Sequence, residues 1–351
     1  MSIKKILESA ILAPSGDNCQ PWSLIVKGNQ INIINLSERD TSLFNFCQRA
    51  SLIAHGALIE NILIASSASG YNIKLRPFPD NLNPNLIATV ELGTSEVRDE
   101  SLYPYITQRA TNRKPYKSIP LTAKQRNTLL NTSSVFANAG VKLVEELDRK
   151  AFIAEAIALT DRLVFENPYL HSFLFEHIRW TKEEALKTRD GLYIKTLELS
   201  APQAIGFRLL KNWSILQALN KFGLSKIAAK QAEKLCLSAS AIGIIIVDGN
   251  TDEDFLTGGR LVQRLWLEAT RMGLAFQPMT GLTFLIQRVL AKETKEISTE
   301  HIRLIMNAFD SIVSAFNLSK ESMVMLFRIG HSSPPAARSL RLSVDQVVKT
   351  E

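Results

Sequence analysis

Two short clusters in this 351-residue sequence combine residue types suited to a flat, anionic ligand. The first is Ala13-Pro14-Ser15-Gly16-Asp17-Asn18-Cys19-Gln20-Pro21-Trp22. Its small residues let the backbone come close to a planar group, and Ser15, Asn18 and Gln20 supply neutral donors and acceptors for a polar rim. A turn between a helix and a strand has much the same composition, so the pattern alone is weak. The second is Gln108-Arg109-Ala110-Thr111-Asn112-Arg113-Lys114-Pro115-Tyr116. Two arginines four apart, with a hydroxyl between them, can grip a phosphate bidentately and leave the second guanidinium for a polarised carbonyl or nitrogen. Taken alone, this stretch reads first as a solvated basic loop ahead of a helix.

Other reactive residue types do not converge. Cys19, Cys47 and Cys236 are odd in number and lack CxxC or Cys/His spacing, so neither a disulfide framework nor a zinc site is indicated. Cys19 lies in the first cluster, where a small loop residue is a simpler reading than a redox thiol. His55 reads as a core histidine, His171, His177 and His301 lack metal-like neighbours, and His331 adjoins a basic stretch. No Gly-x-Gly-x-x-Gly or Walker-type loop is present.

The elements around the first cluster are legible. Ile3, Ile6, Leu7, Ala10 and Ile11 have helical spacing over residues 2–13, with Ser2 placed to cap the start and Pro14 to end the helix. Two β-rich runs, 22–27 and 30–36, flank Gly28-Asn29, a hairpin signal. Residues 50–69 are apolar or small on nearly every face, which predicts a helix buried all round and stopped at Gly70. Leu86–Leu92 reads as a strand. Further along, Thr122 and Gln125 form a capping box for a helix through Leu130. Residues 141–145, 241–247 and 323–330 read as strands, and 298–316 as an amphipathic helix. The run 258–273 resembles 49–70, down to its terminal glycine, and 323–330 parallels 86–93. These parallels predict a diverged internal duplication, 1–98 and 99–351, the second copy carrying a helical insert at about 152–231.

Length and a 46% apolar content support two domains or one double domain. No run approaches the roughly 18 consecutive apolar residues of a membrane span, and no cleavable leader follows Met1, so a cytoplasmic location is expected. The net charge of +7 is moderate, and nucleic acid is not implied. One segment, 199–247, holds six bases (Arg208, Lys211, Lys221, Lys226, Lys230, Lys234) against one acid, Glu233. It reads as a solvated basic face, with an anionic cofactor, a membrane surface or a polyanion as alternatives.

The first cluster resembles the Pro-Ser-x-x-Asn-x-Gln-Pro-Trp segment of the nitroreductase family of FMN enzymes, and the second is similar to that family's Arg-x-Ser-x-Lys/Arg element. Two further stretches match it. Gly273-Leu-Ala-Phe-Gln-Pro278-Met-Thr280-Gly281 is similar to the loop at the reactive edge of the isoalloxazine, with Thr280 where a Glu often stands. Gly330 to Asp345 looks like the closing strand, glycine and basic arm, Arg341 matching best the residue that reaches the FMN phosphate and Arg338 near enough to share the role. Together they span residues 2 to about 348, and the string 111–116 and the Gly191-containing insert favour the double-length subgroup related to the mycobacterial dormancy protein Acg.

The resemblance implies an α+β, nitroreductase-like fold, in which tandem duplication makes an intramolecular pseudo-dimer with mixed sheets and central buried helices. It implies FMN bound by Pro14, Ser15, Gly16, Asn18, Gln20, Arg109, Thr111, Asn112, Arg113, Pro278, Thr280, Gly281, Arg338 and Arg341, and no metal. Ser15, Gly16 and Asn18 would line the ring and ribityl side, Arg113 the N1/C2 edge, and Arg109 with Arg341 the phosphate. Since neither half repeats both elements, one site per chain is expected. A small-molecule acceptor, with NAD(P)H as candidate reductant, would complete an oxidoreductase. Two alternatives stay open: an FMN store closed by the insert, and a binding module using the basic segment with a vestigial flavin site. The sequence also leaves open a further homodimer.

Overall fold

The computed structural model describes residues 3–99 and 101–350; Ser2, the expected cap of the first helix, lies outside them. Gly28-Asn29 makes the expected turn, and β1 (Trp22–Lys27) and β2 (Gln30–Asn35) pair antiparallel with Lys27 opposite Gln30. Gly28 has φ +60°, a region that glycine enters without a Cβ penalty. Helix α1 (Ile3–Ala10) buries Ile6, Leu7 and Ala10 and stops short of Pro14. Helix α2 (Arg49–Ala68) buries nearly every residue, as its all-round apolarity requires. Residues Phe46–Ala68 are long and apolar enough to cross a membrane on composition, but 89% of the most apolar stretch is buried inside the protein, so this is a core helix. Strands β3 (Tyr71–Pro77) and β4 (Leu86–Thr94) complete the hairpins of the first sheet. The sequence reading lacked β3, although its alternation of Ile73 and Leu75 with Lys74 and Arg76 is a strand period.

Beyond β4 come a short helix α3 (Tyr103–Ile106), the capped helix α4 (Ala123–Asn131) and β5 (Ala139–Val144). A helical block follows: α5 (Leu147–Glu166), α6 (Pro168–His177), α7 (Lys182–Thr188) between the two-residue strands β6 (Ile178–Arg179) and β7 (Leu192–Tyr193), then α8 (Ala201–Leu209), α9 (Trp213–Asn220) and α10 (Leu224–Leu237). The block therefore extends beyond 152–231 at both ends. Its first helix is no appendage, because Ile153, Ala154, Ile157 and Leu163 are in the core of the second sheet.

That sheet is built from β8 (Ala241–Val247), β9 (Ala275–Pro278) and β10 (Ser322–Gly330), in the order β5-β8-β10-β9, all antiparallel. Every residue of β8 is buried because both faces are covered: Ala241, Ile245 and Val247 face one core, and Ile242, Ile244 and Ile246 the other. Helices α11 (Asp252–Arg271), α12 (Gly281–Leu290) and α13 (Thr299–Phe316) supply the cover, and a short helix α14 (Val344–Val347) precedes β11 (Val348–Thr350). Strand β11 runs back to the first sheet and pairs parallel with β1, giving the order β11-β1-β2-β4-β3. The first sheet is thus mixed, with its edge strand supplied from beyond residue 98, while the second is antiparallel.

The sheets are tied through α2 and α11. These cross where Gly56 meets Gly259, and a methyl group at either position would collide with the backbone of the opposite helix. Beside the crossing the fully buried Glu60 accepts from Arg264 Nε at 2.6 Å and Arg260 Nε at 3.1 Å, and Gln263 Nε2 donates to Asn61 Oδ1 at 2.6 Å.

Candidate functional site

Four distant segments meet at one cavity of about 800 Å³: the 14–18 loop, the 109–113 stretch, the β9–α12 junction and the arm after β10. That volume lies near the top of the roughly 300–1,000 Å³ typical of small-molecule sites. Pro14, Ser15, Gly16 and Asn18 line it, as do Arg109, Thr111, Arg113, Pro278, Thr280, Gly281, Arg338 and Arg341. Gln20 and Asn112 are not among the lining residues. Gln20 Nε2 donates to the Arg189 carbonyl at 2.9 Å, its Oε1 accepts from Leu342 N at 2.8 Å, and Asn112 Nδ2 donates to the Ser333 carbonyl at 2.8 Å. Both therefore lash loops together behind the cavity. Asn18 borders the cavity, but its amide is similarly engaged: Nδ2 donates to the carbonyls of Leu340 and Gly191, and Oδ1 accepts from Arg341 Nη1 at 2.7 Å.

One end of the cavity is strongly basic. Arg109 stacks over Trp266 at 4.3 Å and donates Nη2 to the Leu12 carbonyl at 3.0 Å, while its buried Nε has no partner. Arg341 Nε donates to the Ala13 carbonyl at 3.1 Å and Arg338 Nη1 to that of Thr107 at 2.6 Å. None of the three forms an ion pair with a carboxylate among the described residues. Burial first, then repulsion from Arg341 and Arg338, weakens the hold of Arg109 on its proton, and burial pulls Arg341 down to about 10. Clustered guanidiniums with spare N–H groups and no internal counter-ion are an anion site. Nearby, Arg113 donates Nη1 to the Thr196 carbonyl at 3.0 Å, so a helical-block residue braces it.

The carboxyls of Asp17 and Asp40 lie along the same rim. Both are raised from the ordinary range by burial; Asp17 is raised further by Asp40 and opposed by His177 and Arg113, and Asp40 is opposed by hydrogen bonds from Ser42. A further part of the wall comes from α5, α6, α8 and α10, including Phe165, Phe173, Phe207 and Ile227.

No family model matches the chain. It is 28% identical over 346 residues to the uncharacterized protein MT1398 of Mycobacterium tuberculosis (strain CDC 1551 / Oshkosh), covering 96% of this chain but 46% of that one, so it spans just under half of that relative. It is 23% identical over 290 residues to the putative NAD(P)H nitroreductase acg of M. tuberculosis (strain ATCC 25618 / H37Rv), covering 80% of each. The chain is thus similar in sequence, over four fifths of each, to the putative nitroreductase acg. Among solved structures, the FMN-dependent nitroreductase NfnB from Mycobacterium smegmatis aligns with 71% of this chain and 97% of its own, at 14% identity and a TM-score of 0.39.

The sequence reading missed Arg328, which is fully buried on β10 and borders the cavity. Its Nε donates to Gln277 Oε1 at 2.7 Å, Nη1 to the Leu235 carbonyl at 2.6 Å and Nη2 to the Lys114 carbonyl at 2.8 Å, with the guanidinium 4.1 Å from the Tyr116 ring centre. A lone arginine inside the apolar run 323–330 was the available signal. Other residues are inert. The Cys19 thiol is buried and pushed up by that burial, mainly, and by Asp40, leaving little thiolate. His55 is fully buried and held down to about 4 by desolvation, as a neutral core histidine.

Proposed function

We propose that this protein is an FMN-dependent oxidoreductase of the nitroreductase type, holding one FMN per chain and serving a small organic acceptor. The observation that carries this reading is the trio Arg109, Arg338 and Arg341, which meets in a cavity without a carboxylate partner while Arg109 Nε stays buried and unpaired. A phosphate monoester supplies the acceptors this arrangement lacks. Ser15 fits the ring and ribityl side: its Oγ accepts from Gln20 N at 2.9 Å, which leaves its O–H free to donate. Arg113, braced by Thr196, is suited to the N1/C2 edge, and the backbone at Pro278–Gly281 to the reactive edge. Asn18, Gln20 and Asn112 act by holding those loops in place. Flavin, when bound, supplies the redox chemistry, and the protein positions it and excludes water.

Several further features belong to the same reading. The two sheets with their central helices are two unequal copies of one unit, and only one composite site survives between them. NADH or NADPH is the reductant, in keeping with the name of the relative acg. A reducing, cytoplasmic setting suits the free cysteines. A second reading, flavin storage, is favoured by one observation: α5, α8 and α10 form part of the cavity wall and so reduce the room for a second substrate.

The deciding experiment is the absorbance spectrum of the purified chain with FMN quantified per polypeptide, followed by steady-state NAD(P)H oxidation with a quinone or a nitroaromatic. One flavin per chain with turnover supports the oxidoreductase, and one flavin without turnover supports the store. A chain that takes up no FMN ends both readings, and two per chain end the composite site.

A further inference from the structure

The helical wall carries a polar group that the flavin reading does not use. On α5, Ile157, Thr160, Asp161, Val164 and Phe165 follow the i, i+3, i+4, i+7, i+8 spacing of one helix face, and all five border the cavity. Asp161 is the sole charged residue of that face. Its charged neighbours on α5 are compensated elsewhere: Arg162 pairs with Glu166 at 2.8 Å and with Glu300 at 3.3 Å, and Lys150 donates to the Ala239 carbonyl at 2.7 Å. Asp161 has no ion pair and no hydrogen bond to another side chain among the described residues; its carboxylate takes support from its own backbone N–H alone. Asp161 is exposed and is among the residues that line the cavity.

What surrounds Asp161 is apolar. The facing side of α10 presents Ile227, Ala228, Ala232 and Leu235, with Gln231 and the Cys236 thiol as its polar members. Cys236 is pushed up to about 12 by burial in the first place, with Asp161 near enough to add to the effect. No positive group of the protein registers on Asp161; desolvation by the surrounding cavity walls lifts it to about 6, although the residue itself keeps an exposed surface. At neutral pH it is then mostly ionised and able only to accept hydrogen bonds. An apolar molecule lying over it would strand a carboxylate away from water, a costly arrangement unless the molecule brings the missing charge.

We propose that the part of the cavity walled by α5 and α10 is a binding site for an apolar or aromatic molecule bearing a positive charge, a protonated amine or a quaternary ammonium, with Asp161 as its counter-ion. Phe165, Phe173 and Phe207 also border the cavity, and aromatic rings attract organic cations; Phe173 stacks on His177 and Phe207 on Phe175, which leaves Phe165 without a ring partner among the described residues. The two ends of the cavity thus select opposite charges: the arginine end takes an anion, and the α5–α10 end repels one. The inference rests on the flavin reading only in assigning the arginine end to FMN, and it concerns the small organic acceptor, not the reductant.

The test uses the full chain and two probes of nearly the same shape, 1-methyl-4-phenylpyridinium and 4-phenylpyridine, which is uncharged at mildly alkaline pH. Calorimetric titration of the wild type should favour the cation by about tenfold or more, the usual scale of one charge-assisted contact. Asp161→Asn, nearly isosteric, should bring the two affinities together by weakening the cation and leaving the neutral probe unchanged. Asp161→Ser gives the same readout should the first variant fold poorly, and thermal unfolding reports on both. A wild type that binds the probes equally, or a preference that survives both substitutions, overturns the proposal. So does tighter binding of the neutral probe with loss on Asp161→Asn, which would make Asp161 a donor to a neutral acceptor. FMN content is measured on the same samples, so a chain that prefers the cation but takes up no FMN refutes the flavin reading alone, and a flavin-loaded chain without the preference refutes this one alone.

Discussion

Arg260 and Arg264, at the crossing of α2 and α11, close on the buried carboxylate of Glu60, whereas Arg109, Arg338 and Arg341, at the cavity, close on backbone carbonyls and repel one another. Arg109 is buried and Arg341 half-buried, whereas Arg338 is exposed and Arg260 and Arg264 are partly exposed. The first group carries its counter-ion in the sequence, so it is complete in the folded chain. The second has no carboxylate partner among the described residues, and under the proposed function an anion from outside completes it. The contrast separates arginines paired within the fold from arginines left without a carboxylate, and burial alone does not make that distinction.

Replacing both Arg260 and Arg264 by Met sharpens the comparison with the largest expected effect. It strands Glu60 uncompensated in the interior, a loss on the order of 3–5 kcal/mol. Denaturant unfolding should record it, while the flavin affinity of the folded fraction stays close to that of the wild type. A matching fall in affinity would mean that the two arginine groups are not independent.

Arg109→Ala should do the reverse. Loss of a charge-assisted phosphate contact costs about 1.5–3 kcal/mol, or roughly 10- to 150-fold in FMN affinity, and the flavin-free protein should lose little stability because a repulsion is relieved. Lys124→Ala, an exposed control on α4, should stay within about 0.5 kcal/mol of the wild type on both measures. Equal FMN affinities for the two variants, followed by flavin fluorescence, would remove Arg109 from the site.

The smallest effect concerns Glu166, another internally compensated carboxylate. Burial would raise it, but hydrogen bonds from His301, Arg162 and Ser225 outweigh burial and hold it at about 2, against an ordinary value of 4.5. Because the folded value is depressed, the stability it contributes is present above about pH 4.5 and fades as pH falls toward 2. Glu166→Gln should flatten the acid limb of the stability curve in that window, measured by chemical denaturation, and an unaltered limb would show that the contacts do not couple to folding.

Much of the architecture was readable where the signal is local. Gly28-Asn29 fixes a hairpin, the small and apolar residues of 50–69 require burial on all faces, and the Thr122/Gln125 pair makes the capping box that starts α4. Long-range pairing was not readable: the Val348–Thr350 strand is three residues long, and nothing in those residues specifies Leu24 as a neighbour. At the site, residue type identified segments more reliably than it identified tasks. Asn18, Gln20 and Asn112 have the side chains of ligand contacts, yet each amide is engaged with the protein's own backbone, a matter of tertiary geometry. Arg328 and Asp161 escaped notice for the opposite reason. Each is a lone charge in an apolar strand or helix face, and its significance appears only once the opposing wall is known.

The pairing of β11 with β1 also has a consequence in time. The hydrogen bond from Ser23 Oγ to the Val347 carbonyl spans 324 residues, which take roughly 15–65 s to synthesise at about 5–20 residues per second. Throughout that interval β1 has an open edge, and an unpaired edge can recruit any strand that meets it. The arm bearing Arg338 and Arg341 emerges from the ribosome just ahead of β11, so the basic end of the cavity and the sealed sheet are finished within moments of each other. A nascent chain thus passes from an exposed, aggregation-prone edge to a protected one in a single late event.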